Sequence, residues 1–215
     1  MEILPNFAVL EGGDGSGTTT QLSLLTERFK SIKKPVFYPT FEPTDSQIGK
    51  IIRRALKKEA PVESETLAML FAADRNEHLY KPDGIKERAK RGELVVSDRF
   101  ALSSLVYQGI DCAEYRGGEL PGFLNWRFPA PEVTIFLDVE PETAIGRMKD
   151  RAELEIYEYL DFQKQARLQY RSLIEIYRKR GAKVEIIDAC KSAWEVADQV
   201  WNIICQMQII KNADN

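Results

Sequence analysis

A glycine-rich stretch near the N-terminus has the composition of a phosphate-binding loop. It follows a short apolar run at residues 7–10, which is typical of a buried strand, and helical spacing begins after it. Glycines let successive N–H groups turn toward one point, and the start of a helix adds free N–H groups and partial positive charge. A tight turn without a ligand is the alternative, but the strand-to-helix setting favours a site for nucleotide phosphates. The residues expected to form this site are Gly12, Gly13, Asp14, Gly15, Ser16, Gly17, Thr18, Thr19 and Thr20.

The loop follows the pattern G-x-x-x-x-G-K-[ST] except at one position. Gly12 and Gly17 have the required spacing, and Thr19 occupies the position whose hydroxyl reaches a magnesium ion. Thr18, however, stands where the pattern has Lys. A magnesium-dependent phosphate site in this loop must therefore take that positive charge from elsewhere in the chain.

A cluster of cations in the second half of the chain is a candidate source of that charge. Arg147, Lys149 and Arg151 follow one another closely and lead into a polar loop at residues 152–158. Such clusters are usually part of a solvated surface. At the mouth of a phosphate site they would instead form a closing lid that excludes water and stabilises the transferring charge.

An acid and a base end another apolar run. Residues 93–100 read ELVVSDRF, which predicts a strand that ends near Asp98 and Arg99. In a doubly wound sheet, ligands sit beyond the carboxyl ends of the strands, so this pair should lie at the same edge as the phosphate loop. Asp98 would hold the metal ion through water, and Arg99 would bind a phosphate through both guanidinium nitrogens. A structural ion pair is the alternative.

An aromatic and a guanidinium lie four residues apart in the sequence LFAADR. Phe71 and Arg75 would project from neighbouring points of one helix face. Such a pair suits a nucleobase, because the ring stacks on the base while the guanidinium reaches its polar edge. A core Phe beside a surface Arg is the alternative, and the spacing alone favours it.

Apolar runs and helical patterns alternate along the chain. The predicted strands cover residues 7–10, 35–38, 93–100, 133–138 and 183–188. The first helix is expected to reach residue 32, a short helix is expected at 120–126 within an irregular covering segment, and a last helix at 193–207. The alternation predicts an α/β protein with a three-layer α/β/α P-loop NTPase fold and a five-stranded parallel sheet. We expect a single domain over residues 1–215, with a lid at about 151–158.

The composition limits the classes of function. The chain has 215 residues, 44% of them hydrophobic, and a net charge of −3, which gives no support to nucleic-acid binding. Three scattered cysteines read as reduced thiols. No basic leader and no apolar run of membrane-spanning length is apparent. These features predict a cytoplasmic protein without a membrane or nucleic-acid partner.

Several motifs together resemble the thymidylate kinase family. They are LEGGDGSGTTTQ, FEPTDSQIG, LFAADR, VVSDRF, YQG and IFLDVEPE, and they run in the family's order over nearly the whole chain. The resemblance implies transfer of a phosphoryl group from ATP to dTMP with Mg²⁺, and a homodimer formed by helices beside the substrate helix.

The resemblance also implies roles for particular residues. Asp14 matches the acid that contacts the deoxyribose 3′-hydroxyl and helps to arrange the metal ion, which Thr19 and Asp98 would approach. Tyr107 matches the ring that crowds the 2′ position and rejects ribose, and Arg99 matches the cation on the 5′-phosphate. The dTMP-binding set implied in this way is Asp14, Phe71, Arg75, Arg99, Ser103, Ser104, Tyr107, Gln108 and Tyr157.

Three positions depart from the family pattern, and each loses a cation. They are Thr18 in the phosphate loop, Ile156 in the lid and Phe41 before Glu-Pro. We hypothesise that Arg147 and Arg151, with Lys149, supply the missing charge, so that the catalytic set is Arg99, Asp14, Arg151 and Arg147. The rivals are a nucleotide-binding protein of the same fold that has lost catalysis, and a kinase for another nucleoside monophosphate.

Overall fold

The sheet has five parallel strands in the order β2-β3-β1-β4-β5. The computed structural model describes residues 1–32, 35–113, 119–149 and 155–213. The strands are β1 Ile3–Gly12, β2 Phe37–Phe41, β3 Leu94–Asp98, β4 Ala130–Asp138 and β5 Val184–Asp188. Leu10 of β1 lies opposite Asp98 of β3, so the loops that follow these two strands leave from the same edge.

Helices connect the strands and cover the sheet. They are α1 Thr18–Phe29, α2 Gln47–Leu56, α3 Ser64–Tyr80, α4 Ile85–Lys90, α5 Ala101–Asp111, α6 Glu119–Asn125, α7 Pro141–Met148, α8 Leu160–Lys179, α9 Ala193–Ile204 and α10 Gln208–Ala213.

Successive residues of β1 pack against the helices on opposite faces of the sheet. Ala8 and Leu10 pack with α1 and α9, whereas Phe7 and Val9 pack with α3 and α4. All four are almost completely buried, as expected of a parallel strand that is covered on both faces. The predicted three-layer α/β/α architecture with a five-stranded parallel sheet is therefore confirmed.

Some predicted boundaries were wrong. The second strand was expected at residues 35–38 but covers Phe37–Phe41. Because β2 is an edge strand, it can contain Pro39, which has no N–H to donate to a neighbouring strand. Helix α1 ends at Phe29, before residue 32. The short helices α4 and α10 were not predicted, because six residues give little periodic signal.

The turn after β2 is pinned by one carboxylate from α3. Asp74 accepts the N–H of Thr44 at 2.7 Å and the hydroxyls of Thr44 and Ser46 at 2.6 and 2.8 Å. Ser46 in turn accepts the N–H of Gly49 at 3.0 Å and so caps the N-terminus of α2. These bonds fix the turn at residues 44–46 against α3.

No helix within the described ranges is long and apolar enough to cross a membrane.

Candidate functional site

The glycine-rich loop joins β1 to α1 in a conformation that side chains would prevent. Gly15 has a φ of 76°, and a Cβ there would lie 2.5 Å from the carbonyl oxygen of Ala144. Gly17 has a φ of 96° as the residue before α1, and a Cβ on Gly12 would lie 2.4 Å from the hydroxyl of Ser16. The structure thus forms the strand–loop–helix unit that the sequence predicts.

The threonines after the loop lie on the first turn of α1. Thr18, at the position usually held by Lys, is buried, whereas Thr19 and Thr20 are exposed. The hydroxyl of Thr19 donates to Oδ2 of Asp98 at 2.6 Å. The other carboxylate oxygen of Asp98 is buried and has no hydrogen-bond partner among the described residues. The two predicted metal-site residues are therefore in direct contact.

Arg99 bridges β3 and the phosphate loop. Its backbone has a left-handed φ of 68°, and its guanidinium donates to the carbonyl of Gly12 at 2.9 Å and to Ser103 at 3.2 Å. Its second nitrogen lies 2.6 Å from Oδ1 of Asp14. Burial alone would lower the pKa of Arg99, but the nearby carboxylates of Asp14 and Asp98 favour the cation and keep the pKa well above its ordinary range. Arg99 therefore stays a cation at the edge where the loop begins.

Asp14 is the residue on which several predicted side chains meet. Besides Arg99, its carboxylate accepts the hydroxyl of Tyr107 at 3.1 Å and the side-chain amide of Gln163 at 2.9 Å. Burial, and then the charge of Asp14, raises the pKa of Tyr107. Tyr107 thus remains a neutral hydrogen-bond donor, and its bond to Asp14 holds its ring beside the phosphate loop.

A cavity of about 120 Å³ opens beside this cluster. It is bounded by the phosphate loop, the turn after β2, helices α2, α3 and α5, and the segment before α8. The lining residues are Asp14, Glu42, Pro43, Leu56, Phe71, Arg75, Arg99, Phe100, Ser103, Ser104, Tyr107, Gln108, Glu155 and Tyr157. All nine residues predicted for dTMP are in this set.

Phe71 and Arg75 lie in the cavity wall, but not as a core Phe beside a surface Arg. Phe71 is half-buried, whereas Arg75 is only 1% exposed. The guanidinium of Arg75 pairs with Glu42 at 2.8 Å and donates to Ser104 at 3.0 Å and to Asn125. A charge buried to this degree requires such partners. Spacing could not reveal them, since they come from three other segments.

Glu42 has two partners, and sequence reasoning missed its role. One oxygen accepts from Arg75, and the other lies 3.1 Å from Nδ1 of His78. Nε2 of His78 lies 2.6 Å from the hydroxyl of Thr40. The Glu-Pro pair was recognised as part of a motif, but only the fold shows that this carboxylate positions Arg75.

A second missed residue, Glu11, lies directly before the phosphate loop. Its carboxylate accepts the N–H groups of Phe100 and Ser103 at 3.0 and 3.2 Å, and also the hydroxyl of Tyr170 at 3.3 Å. Burial raises the pKa of Glu11 from its ordinary 4.5 to about 7, against the lowering effects of Ser103 and Arg99. Glu11 therefore caps the N-terminus of α5, which carries Ser103, Ser104 and Tyr107.

Tyr157 and Gln108 close the far side of the cavity. Tyr157 is buried, packs edge-on against Tyr107 at 5.4 Å between ring centroids, and donates its hydroxyl to Asp111 at 3.1 Å. Gln108 is buried on α5, and its Oε1 has no hydrogen-bond partner in the described part of the chain. An unpartnered acceptor in a cavity wall fits a ligand that brings an N–H donor.

The predicted lid cations are only partly described. Arg147 donates to the carbonyl of Ala189 at 2.8 Å and to that of Gly15, in the phosphate loop, at 3.4 Å. Lys149 is exposed. Arg151 lies outside the described residues, as does the predicted lid from 151 to 154. The structure therefore brings Arg147 to the loop and leaves the position of Arg151 undescribed.

The other two departures from the family pattern lie near the cavity. Phe41 is exposed at the end of β2, and the guanidinium of Arg53 lies 5.7 Å from its ring centre. Arg53 donates to the carbonyls of Pro43 and Thr44. Ile156 donates its N–H to the carbonyl of Leu56 at 3.2 Å. A cation from α2 thus stands beside the ring of Phe41.

The fold and this site define the class: an α/β nucleotide-binding protein with a phosphate loop. The family model for thymidylate kinase matches residues 10–200. A Treponema pallidum protein that carries the thymidylate kinase name is 41% identical over 87% of this chain and 88% of its own length. A Pyrobaculum aerophilum protein of the same name is 39% identical over 92% and 95%, and one from Methanococcus maripaludis is 38% identical over 92% and 94%. The chain belongs to the thymidylate kinase family.

Proposed function

We propose that this protein transfers the γ-phosphoryl group of ATP to dTMP and so forms dTDP and ADP. The observation that carries the proposal is the continuity of the site. One cavity wall contains the phosphate-loop acid Asp14, the cation Arg99 and the aromatic–guanidinium pair Phe71 and Arg75. Membership of the thymidylate kinase family supports the same reaction.

The reaction needs alignment and charge neutralisation more than proton transfer. The acceptor is a phosphate oxygen that is already anionic, so no strong general base is required. The backbone N–H groups of the loop and of the first turn of α1 would hold the donor phosphates. Arg99 would hold the acceptor phosphate in line, and Asp14 would fix Arg99 and the sugar.

The base would lie between Phe71 and the buried polar groups of the cavity. The half-buried ring of Phe71 offers a stacking surface, while Arg75 donates to a carbonyl on the base edge. Oε1 of Gln108 would accept a base N–H, and Ser103 and Ser104 would line the same side. Tyr107 would exclude a 2′-hydroxyl, which favours a deoxyribose.

We further propose that the divalent cation is Mg²⁺, held near Thr19 and Asp98. The residues fit it, because Asp98 has a buried carboxylate oxygen without a described partner and a hydroxyl stands beside it. Hard cations of this kind prefer oxygen ligands. Thr19 and Asp98 would hold the ion, which would supply positive charge to offset the negative charge of the donor phosphates.

The cations lost at positions 18 and 156 would be replaced by Arg147 and Arg151, with Lys149. The contact of Arg147 with the carbonyl of Gly15 supports its place beside the loop. Asp14, Asp98, Arg99 and the base cavity are all assembled, so a binding protein without turnover is not favoured. A kinase for another monophosphate is disfavoured by the thymine-type pocket around Phe71 and Arg75.

Three further proposals concern the whole chain. Residues 1–215 would form a single nucleoside monophosphate kinase domain, with a lid at about 151–158. The protein would act in the cytoplasm, without a nucleic-acid partner. It would form a homodimer through helices beside α5, where Met69 of α3 and Phe123 of α6 are large apolar residues exposed to solvent.

An acceptor panel tests the proposed substrate. Purified protein is mixed with ATP and Mg²⁺, and ADP formation is followed with dTMP, dUMP, dCMP, dGMP or no acceptor. We expect turnover to depend on the acceptor and to be fastest with dTMP. Equal turnover with dGMP or dCMP would contradict the proposed role of Phe71 and Arg75.

A further inference from the structure

One buried amide joins the phosphate loop to the segment before α8. Gln163 lies on the first turn of α8 and is 3% exposed. Its Oε1 accepts the backbone N–H of Asp14 at 3.0 Å. Its Nε2 donates to the carboxylate of Asp14 at 2.9 Å and to the carbonyl of Tyr157 at 2.9 Å. The side chain thus uses both hydrogens of Nε2 and its acceptor oxygen at once.

These contacts hold Asp14 by its backbone and its side chain together. One carboxylate oxygen of Asp14 faces Arg99, and the other is shared by Gln163 and Tyr107. Without Gln163, the carboxylate could rotate away from Arg99, and the N–H of Asp14 would lose its acceptor. Because this amide supplies both an acceptor and two donor hydrogens, a carboxylate or an apolar side chain cannot reproduce its three bonds.

The loop is shaped to admit this amide. A Cβ placed on Gly13 would lie 2.8 Å from Oε1 of Gln163, closer than real Cβ contacts allow. The backbone of Gly13 has no left-handed φ that would by itself require glycine. Gln163 therefore packs directly against the backbone of Gly13, and a side chain at this position would displace the amide.

The bond to Tyr157 ties Asp14 to the opposite wall of the cavity. Ile156 is bonded to the carbonyl of Leu56 on α2, and the ring of Tyr157 packs against Tyr107 and against Phe162, with a centroid distance of 4.8 Å to the latter. The segment at residues 155–158 is thus fixed against the acceptor cavity. Gln163 connects that segment with the phosphate loop.

We propose that Gln163 is a positioning residue for the phosphoryl transfer. It holds Asp14, and through Asp14 the guanidinium of Arg99, in the orientation that aligns the acceptor phosphate with the donor. This inference rests on the proposed function, since it concerns the alignment of the same two substrates. Gln163 does not line the acceptor cavity, and its loss would leave Asp14 and Arg99 present but misaligned, so its effect should fall on kcat more than on the KM for dTMP.

The test compares Gln163→Ala with a matched control on the same helix. Gln165 is exposed two residues further along α8, so Gln165→Ala should leave both constants unchanged. Gln163→Ala should lower kcat by about tenfold to hundredfold, because misalignment at a distance from the reacting atoms costs that much. The KM for dTMP should change by less than about threefold. A kcat of Gln163→Ala equal to that of wild type would overturn the inference.

A second variant separates positioning from loss of stability. In Gln163→Glu, an ionised carboxylate would repel Asp14, whereas a protonated one would again offer a donor and an acceptor. Its activity relative to wild type should therefore rise as the pH is lowered below the raised pKa of the new Glu, at temperatures below the melting points of both proteins. The proposal would be contradicted if the activity of Gln163→Glu relative to wild type stayed constant over pH. It would also be contradicted if the loss of activity in the variants only followed the loss in melting temperature. If the wild-type protein shows no turnover with dTMP, the proposed function fails and this inference fails with it. If the wild-type protein turns over dTMP and the Gln163 variants have the same kcat, only this inference is overturned.

Discussion

At the residue scale, the buried carboxyl of Glu11 predicts a pH dependence of stability. Burial raises its pKa to about 7 in the folded protein, against an ordinary value of 4.5. Between these values the folded carboxyl is protonated while the unfolded one is ionised, so stability falls as the pH rises through this window and levels off above it. At about 1.4 kcal/mol for each pH unit, the total is of order 3 kcal/mol.

Glu11→Gln should remove this dependence. The free energy of unfolding of Glu11→Gln minus that of wild type should rise by about 3 kcal/mol as the pH is raised from about 4.5 to 7. The reason is that the amide stays neutral over this range, whereas the wild-type stability falls. Denaturant titrations of both proteins across that range measure the difference. Parallel pH profiles for the two proteins would contradict the assignment of a raised pKa to Glu11.

A second residue-scale prediction concerns the missing cation of the phosphate loop. Arg151→Ala should lower turnover by about hundredfold or more while the affinity for dTMP hardly changes, because a charge-assisted bond to the transferring group is worth up to about 3 kcal/mol. Lys164→Ala is the matched control, since Lys164 is half-exposed on α8 and pairs with Glu142. Unchanged turnover in Arg151→Ala would show that Arg151 does not replace the cation absent at Thr18.

At the element scale, the cap of α2 links helix stability to the cavity. Ser46 caps α2 and also donates to the buried Asp74, and α2 carries Leu56 in the cavity wall. Ser46→Ala should lower the free energy of unfolding by about 1 to 2 kcal/mol and should raise the KM for dTMP. Denaturant titration and steady-state kinetics measure the two effects.

The start of α9 provides the control for that prediction. Ser192 and Glu195 form a capping box on the surface of the other layer. Ser192→Ala should therefore cost about 1 kcal/mol of stability without any change in the KM for dTMP. Equal kinetic effects in Ser46→Ala and Ser192→Ala would mean that α2 does not position the cavity.

The elements that sequence predicted are those with a strong local signal. The apolar runs of β1, β3, β4 and β5 and the periodic helix α9 were found, and the parallel order then placed Asp98 beside the loop at Gly12 and Thr19. The helices α4 and α10 were missed because each is only six residues long. The predicted bounds of the edge strand β2 were shifted by two to three residues because Pro35 and Pro39 weaken its strand pattern.

The parts of the site that sequence did not predict depend on contacts between distant segments. Gln163 and Asp14 are 149 residues apart, and Arg75 and Asn125 are 50 apart. Periodicity describes one segment at a time, so it could not show that Arg75 is buried or which groups neutralise it. Glu11 was visible beside Gly12, but its role as a cap for α5 requires the fold.

At the scale of the whole molecule, the proposed homodimer would use exposed apolar residues of α3 and α6. Phe123 of α6 is 81% exposed, and Met69 of α3 is also exposed beside the helices that flank α5. Phe123→Asp should convert a dimer into a monomer in analytical ultracentrifugation, because it places a charge in a buried apolar contact. Trp194→Asp, on α9 in the opposite layer and 67% exposed, should leave the dimer intact. A monomeric wild-type protein, or a dimer that only Trp194→Asp disrupts, would contradict this surface.

The whole site is proposed to transfer a phosphoryl group from ATP to dTMP although Thr18 replaces the usual Lys. The most direct measurement is chromatography of the products after wild-type protein has been mixed with ATP, Mg²⁺ and dTMP, with a control lacking dTMP. We expect dTDP and ADP to appear in equal amounts, and neither to accumulate in the control. If neither product forms while dTMP still raises the melting temperature, the pocket binds its ligand without chemistry, and the claim is contradicted.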